Sequence, residues 1–532
     1  MQRRHVISAL SVLPLASGCS FPRWPEPSIG DVQPPKGLRP ILAPSRVVKA
    51  KGAPSWVIDV HAHFFNARDV PVEGYLAGPV AHNRPGTAGR LVRALAPLAG
   101  RLAALAPSAR TEYTELVNAA GSAELKSLTN TDLLVRLERQ RSQFLKVQST
   151  KAYEILRGST FETLYNETGD ESKRMQGLTV DKLGPLSLSQ AVQQDTHPSS
   201  PDDRTAQRLL PANAEPAYRD GVLAFVGYML SYRWMNLIAY QRAFTTGDSA
   251  FGIDRVFGSL VDFDHWLMPP PLVAHEDQIR VHQLLSQLSN GYMRPLVAYN
   301  PWSAVKEPQR VLNRVIDAVE SRGFVGIKIY PPNGFRPLGN LQYRGAHPGA
   351  PLGSRLDQAL MELWQAAVRL DVPVMAHGAH TMGSDDAHEA LAGPEGWSVV
   401  LQQVGATTPP RVNIGHFGGD EFTQPWADNF ASLMERADGA RMYADVGYWS
   451  RLRCSQETEC AERVKLKQLL VNRQILKDRL MYGSDWLMLS QERRWDLYPA
   501  DLLAATNDLI SSEAFFGANA AACFGVAARS GQ

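Results

Sequence analysis

A chain of 532 residues exceeds one average domain but suits a large α/β barrel carrying an insertion. Its 44% hydrophobic share supports a sizeable core and excludes wholesale disorder, while 55 Lys plus Arg nearly cancel 53 Asp plus Glu. No strong field points to an anionic membrane surface, and no nucleic-acid partner is expected.

At the N-terminus Arg3 and Arg4 precede an apolar run over residues 6–16, and Ala16-Ser17-Gly18-Cys19 ends it. A basic start, a short apolar stretch and small residues before a break make a secretory signal, too short to span a bilayer. The ending resembles the lipobox of bacterial lipoproteins, and the paired arginines resemble a twin-arginine export signal. These resemblances imply export to the periplasmic side of a bacterial membrane with a lipid anchor at Cys19; ordinary cleavage that discards Cys19 is the alternative. Residues 20–55, with Pro22, Pro25, Pro27, Pro34, Pro35, Pro40 and Pro44, read as an extended tether. Of the remaining cysteines, Cys454 and Cys460 flank a short polar stretch that an oxidising compartment would let close. Cys523 sits in an apolar helical stretch and reads as a small buried hydrophobe.

The run Trp56-Val57-Ile58-Asp59-Val60 has the β-branched apolar character of a buried parallel strand. Residues 67–250 then read as a mostly helical insertion, with helical spacing at 91–105, 133–155 and 217–243. Further strands are expected at 260–263, 296–299, 325–329, 372–376, 411–415, 441–446 and 480–483, with amphipathic helices between them. Eight strands alternating with helices predict a (β/α)8 TIM barrel formed by residues 56–66 and 251–532, with a long helical insertion after the first strand. A doubly wound sheet is the alternative, but no Gly-rich dinucleotide turn follows the first strand.

The first strand runs into His61-Ala62-His63. With 13 histidines in the chain, chance supplies about a third of one His-x-His pair, so context must decide. Later strands run into His377, His416 and Asp485 in turn. One histidine after an apolar run is more often a satisfied core group; three strands closed by His, His and Asp after a His-x-His suggest a metal site. Asp59, two residues before His61, is expected on the same inward side as support for the site.

Here the chain resembles the amidohydrolase superfamily of metal-dependent hydrolases, especially its amidohydrolase-related branch. The resemblance covers residues 56–66 and 258–525, including a closing Phe516-Gly517-Ala518-Asn519-Ala520-Ala521 similar to the family's final helix. It implies metal ligation by His61, His63, His377 and Asp485, with a divalent ion, zinc expected, and one ion favoured over two. Lys328 and His416 are the residues for a second metal or for local charge. His416 would otherwise orient water or substrate, and Asp485 would serve as general base and acid. The alternative for Asp485 is a helix N-cap.

The expected reaction is hydrolysis of an amide, ester or lactone in a small-molecule substrate. Metal-dependent non-oxidative decarboxylation of a carboxylated aromatic or unsaturated acid is the second reading, and a membrane-tethered scaffold with a retained metal site the third. Phe64, Phe65, Trp302, Tyr330, Phe417, Tyr448, Trp449 and Trp486 adjoin the ligands and would line an apolar pocket or simply pack. The loop 331–353, with Arg336, Tyr343, Arg344 and His347, reads as a lid, and Asp264-His265-Trp266 as a polar cluster near the mouth.

Overall fold

Short β-branched and aromatic runs form the strands of this chain, and apolar residues at helical spacing form the layer around them. A computed structural model describes residues 28–526, apart from 31, 83–85, 122–126, 158–220, 248–249, 343–350, 382–385, 407, 423 and 454–459. Eight strands follow in order: β1 (Ile58–Ala62), β2 (Arg255–Ser259), β3 (Met293–Ala298), β4 (Gly326–Ile329), β5 (Val374–His377), β6 (Val412–Gly415), β7 (Met442–Asp445) and β8 (Leu480–Met481). Each pairs in parallel with its neighbour in the chain. The ring closes where Val60 N donates to the Tyr482 carbonyl at 3.1 Å and Ala62 bridges Trp486. This is a (β/α)8 barrel.

Helices cover the outside for the expected reason. Pro308–Ser321 buries Val311, Val315 and Ala318, one stripe at four- and three-residue spacing, and Pro308 opens it where no backbone donor is needed. Inside, Ile58, Val60, Phe257, Leu296, Met375 and Met481 pack together. The final helix Asn519–Phe524 adds Ala520, Cys523 and Phe524 to that cluster, so it plugs the barrel's lower end. Cys523 is free and buried, as its apolar setting predicts. Cys460 is disulfide-bonded, and Cys454 lies outside the described residues.

Three expectations need correction. The second strand is 255–259, not 260–263: pairing Val256 with Met293 puts the ladder earlier, and 260–263 is an irregular, largely buried segment that follows it. An apolar run marks burial, not pairing. The proline-rich stretch is not a free tether over its described part. Ile41 and Leu42 are buried in the main core, and the Ser28 hydroxyl donates to Asp277 at 3.0 Å. The expected helix 217–243 is two, Val222–Met229 and Arg233–Gln241, broken at Ser231 and Tyr232.

Asp59 also needs correction. Ile58 and Val60 face the barrel interior, so strand alternation turns Asp59 outward, where its Oδ2 accepts from Tyr240 Oη at 2.6 Å. The β1–β2 register then shifts between Asp59 and Ala62, and this irregularity brings His61 inward directly after Val60.

The insertion between β1 and β2 includes the helices Thr87–Ala103, Ala109–Gly121, Asn130–Arg157, Val222–Met229 and Arg233–Gln241 among the described residues, the last continued by the turn Arg242–Thr246. Among these no helix is long and apolar enough to cross a membrane. It is tied to the barrel by Asn236 Nδ2, which donates to the Phe65 carbonyl at 3.0 Å, and is held together internally by buried Arg233, bonded to both Asp69 and Glu112.

Candidate metal centre

Chemistry in this architecture belongs at the C-terminal strand ends, and there the polar side chains gather. His61 comes from the end of β1 and His63 from just beyond it, Lys328 from β4, His377 from β5, His416 from the turn after β6, Asp445 from β7 and Asp485 from beyond β8. All seven are buried. His61, His63 and Asp485 offer ligand atoms within 4.8 Å of one another. The Asp485 Oδ1 atom lies 3.2 Å from His63 Nε2 and 3.5 Å from His61 Nε2.

The other ring nitrogens explain what those atoms carry. His61 Nδ1 lies 2.9 Å from Asp445 Oδ1, His63 Nδ1 2.8 Å from the Ser259 carbonyl and His416 Nδ1 2.8 Å from the Gly447 carbonyl. Carbonyl and carboxylate oxygens only accept, so each Nδ1 holds a proton and the lone pair each ring can offer a metal is the one at Nε2. Two lone pairs thus face one carboxylate oxygen, an arrangement that a cation satisfies. His377 adds a buried Nε2 that has no hydrogen-bond partner among the described residues. Its ring lies 4.4 Å from that of His416, and the His416 ring 4.7 Å from that of His61. The expected ligands therefore meet in one pocket, but His377 stands outside the tight group of three.

Electrostatics keep these groups in ligand form. Burial, then the Lys328 charge, pulls His61 down to about 3 against the pull of Asp445. Burial, reinforced by His416, carries His377 well below the usual histidine range. Burial raises Asp485, and a proton on His61 or His63 Nε2 in place of a cation would pull the carboxyl below the usual carboxylate range. Lys328 Nζ lies 3.4 Å from His61 Nε2, and burial lowers it to about 8. The backbone is strained at the same place: His416, Phe417, Tyr448 and Asp485 have φ of 63°, 40°, 57° and 53°. Such left-handed conformations cost about 1–3 kcal/mol each in ordinary residues and concentrate where function demands them.

Asp485 does not cap a helix, since the next helical turn, Met488–Gln491, starts after Leu487 with no side-chain cap. Asp445 was not expected. Its Oδ1 accepts from His61 Nδ1, from His416 N at 3.2 Å and from Gly447 N at 2.9 Å, and its Oδ2 accepts from Asn413 Nδ2 at 2.8 Å. The signal was available: Asp445 closes β7 as His377 closes β5. Gly447 supplies the space. A Cβ there would sit 2.8 Å from His61 Nδ1 and 3.0 Å from Asp445 Oδ1. Gly447→Ala is expected to displace His61 and reduce turnover by about 10–100-fold with the fold retained, measured by initial rates beside circular dichroism.

Around the pocket, Phe64, Trp302, Phe417, Trp449 and Trp486 are buried packing groups, whereas Phe65, Tyr330 and Tyr448 are half-buried. Tyr330 stands 5.2 Å from the His377 ring and 5.9 Å from Trp266, which stacks on Phe263 at 5.6 Å. Of the expected polar cluster, Trp266 joins this aromatic wall, and His265 Nδ1 accepts from Lys306 Nζ at 2.9 Å. Asp264 turns back on its own loop, its N donating to Asp262 at 3.0 Å. In the expected lid, Arg336 N donates to Asn340 at 2.8 Å, while Tyr343, Arg344 and His347 lie outside the described residues.

Residues 294–526 match the amidohydrolase family. Among solved structures, the chain is similar to a zinc-bound amidohydrolase from Burkholderia multivorans, at 14% identity over 52% of this chain and 84% of that one, with a TM-score of 0.33. It is similar also to 5-carboxyvanillate decarboxylase from Sphingomonas paucimobilis, at 10% identity over 52% and 80% of the two chains, with a TM-score of 0.34. No curated protein matches the chain.

Proposed function

We propose that this chain, whose residues 294–526 match the amidohydrolase family, is a metal-dependent hydrolase of an amide, ester or lactone bond in a small molecule. One observation carries the reading: two histidine lone pairs and the Asp485 carboxylate converge within 4.8 Å in a buried pocket. His61, His63, Asp485 and His377 would hold a single divalent ion, with zinc the ion that suits nitrogen-rich donors. That ion would supply Lewis acidity, polarising a carbonyl oxygen and acidifying a water.

The remaining work falls to side chains. Asp485 accepts the proton of the attacking water and returns it to the leaving group. His416, whose Nδ1 proton is committed to Gly447, presents an accepting Nε2 that orients that water. Lys328 stays outside the ligand set and offsets negative charge beside His61. That buried cation also favours an anionic substrate, so loss of carbon dioxide from a carboxylated aromatic acid at the same site is the second reading. A panel of esters, lactones and carboxylated aromatic acids, assayed before and after chelation and after zinc is restored, separates these. Turnover that survives chelation would falsify both metal readings, carbon dioxide release favours the second, and no turnover at all favours a scaffold. Export and lipid attachment at Cys19 belong to the same proposal; residues 1–27 lie outside the described part. Cys19→Ala protein that still fractionates with membranes would contradict the anchor.

A further inference from the structure

The seam between β1 and β8 is where the ring is thinnest, because β8 has two residues. It is also where three of the four expected ligands lie. Beyond the Val60–Tyr482 bond, Asp485 N donates to the His61 carbonyl at 2.7 Å and His63 N to the Trp486 carbonyl. The Asp59 carboxylate reinforces this junction from outside the barrel. Its Oδ1 accepts from His61 N and from Ser484 N, each at 3.0 Å, so one oxygen holds both strands. Its Oδ2 accepts from Tyr240 Oη, and Tyr240 belongs to the insertion helix Arg233–Gln241. The Tyr240 ring packs 5.6 Å from Phe64 and 6.0 Å from Trp486, the residues that follow His63 and Asp485. Both Asp59 and Tyr240 are fully buried.

We propose that the insertion is a working part of the metal centre: the Tyr240 hydroxyl and the Asp59 carboxylate clamp the β1–β8 seam and set the spacing of His61 and His63 from Asp485. The inference rests on the metal-site reading above. Tyr240 fixes the carboxylate rotamer together with the Ser484 side chain; without the Tyr240 hydroxyl a buried oxygen loses a donor and the carboxylate is freer to release one of the two amides. Ligands held to within about 0.5 Å tolerate little of that movement. Tyr240 and Asp59 are positioning residues, and neither touches the reacting atoms.

The test is zinc affinity of the full chain, measured by competition against a chromogenic chelator, beside thermal melting. Tyr240→Phe keeps the ring and is expected to weaken zinc binding by about 10–100-fold while melting near the native temperature. Asp59→Asn keeps an oxygen toward both amides and gives Tyr240 a donor, so affinity within about threefold of native is expected there. Phe244→Leu trims the neighbouring insertion contact, 4.9 Å from the Tyr240 ring, without touching Asp59, and is expected to lower the melting temperature but spare zinc affinity. Native affinity in Tyr240→Phe overturns the clamp whatever happens to melting. An equal affinity loss in Phe244→Leu or a tenfold loss in Asp59→Asn also overturns it. Native protein that holds no zinc overturns the metal-site reading and the clamp together, whereas zinc held equally by native protein and Tyr240→Phe overturns the clamp alone.

Discussion

Replacing Asp485 with asparagine is expected to lower turnover by about 10²–10⁴-fold on whichever substrate of the panel the native chain accepts. The substitution keeps the shape of the side chain, so the aromatic packing around Trp486 should survive. It removes the anion that faces His61 Nε2 and His63 Nε2 and the group that accepts and returns the proton. Loss of a ligand and loss of a base act on the same atoms, so the two effects will not separate by adding single variants. Zinc titration beside the rate assay apportions them: restored rate at saturating zinc assigns the defect to affinity, and a persistent defect assigns it to proton transfer. A rate within threefold of native would remove Asp485 from the chemistry.

The largest stability effect is expected from Arg233→Met. Arg233 is fully buried, donates to both oxygens of Asp69 at 2.7 and 2.6 Å, and reaches Glu112 at 2.8 Å. Glu112 in turn accepts from the backbone of Trp234 at 2.7 Å, so one cation joins the segment after β1 to two insertion helices. Removing one partner of a buried ionic cluster costs about 3–5 kcal/mol, because the remaining carboxylates lose their compensation. Melting should fall by about 3–4 °C. The sign of the pH effect follows from the same picture. Burial already raises Glu112, and without Arg233 its carboxyl should be raised further above its unfolded value. The variant is therefore closest to native in stability below the unfolded carboxylate range near 4, and its deficit grows as pH rises toward the elevated folded value. Equal melting of native and variant protein at pH 7.5 would contradict this, as would a deficit that shrinks as pH rises.

The sequence made the site more legible than its supports. His377, His416 and Asp485 each follow a buried apolar run, and strand ends are where such residues collect, so order alone grouped them. Asp445 stands at the same kind of place but falls inside the run 441–446, where a single carboxylate carries no mark of its partner His61. Alternation alone puts Asp59 on the wrong face. Strict alternation puts residues 59 and 61 together, and only the register shift within β1, invisible in the sequence, separates them. The second strand was displaced because Leu260 and Val261 are as buried as the strand itself; pairing partners, not hydrophobicity, decide which residues join the sheet. The packed proline-rich segment was missed for a related reason. Ile41 and Leu42 are two apolar residues in a polar context, and their burial depends on a surface built by other parts of the chain.

Metal content tests the central claim most directly. Protein purified without chelator, and the His61→Ala/His63→Ala double variant prepared beside it, should be analysed for bound metal per chain with folding checked by circular dichroism. The account predicts about one zinc per native chain and close to none in the folded double variant. A native chain without bound metal that takes up no added zinc, or a double variant that retains the native metal content, would contradict it.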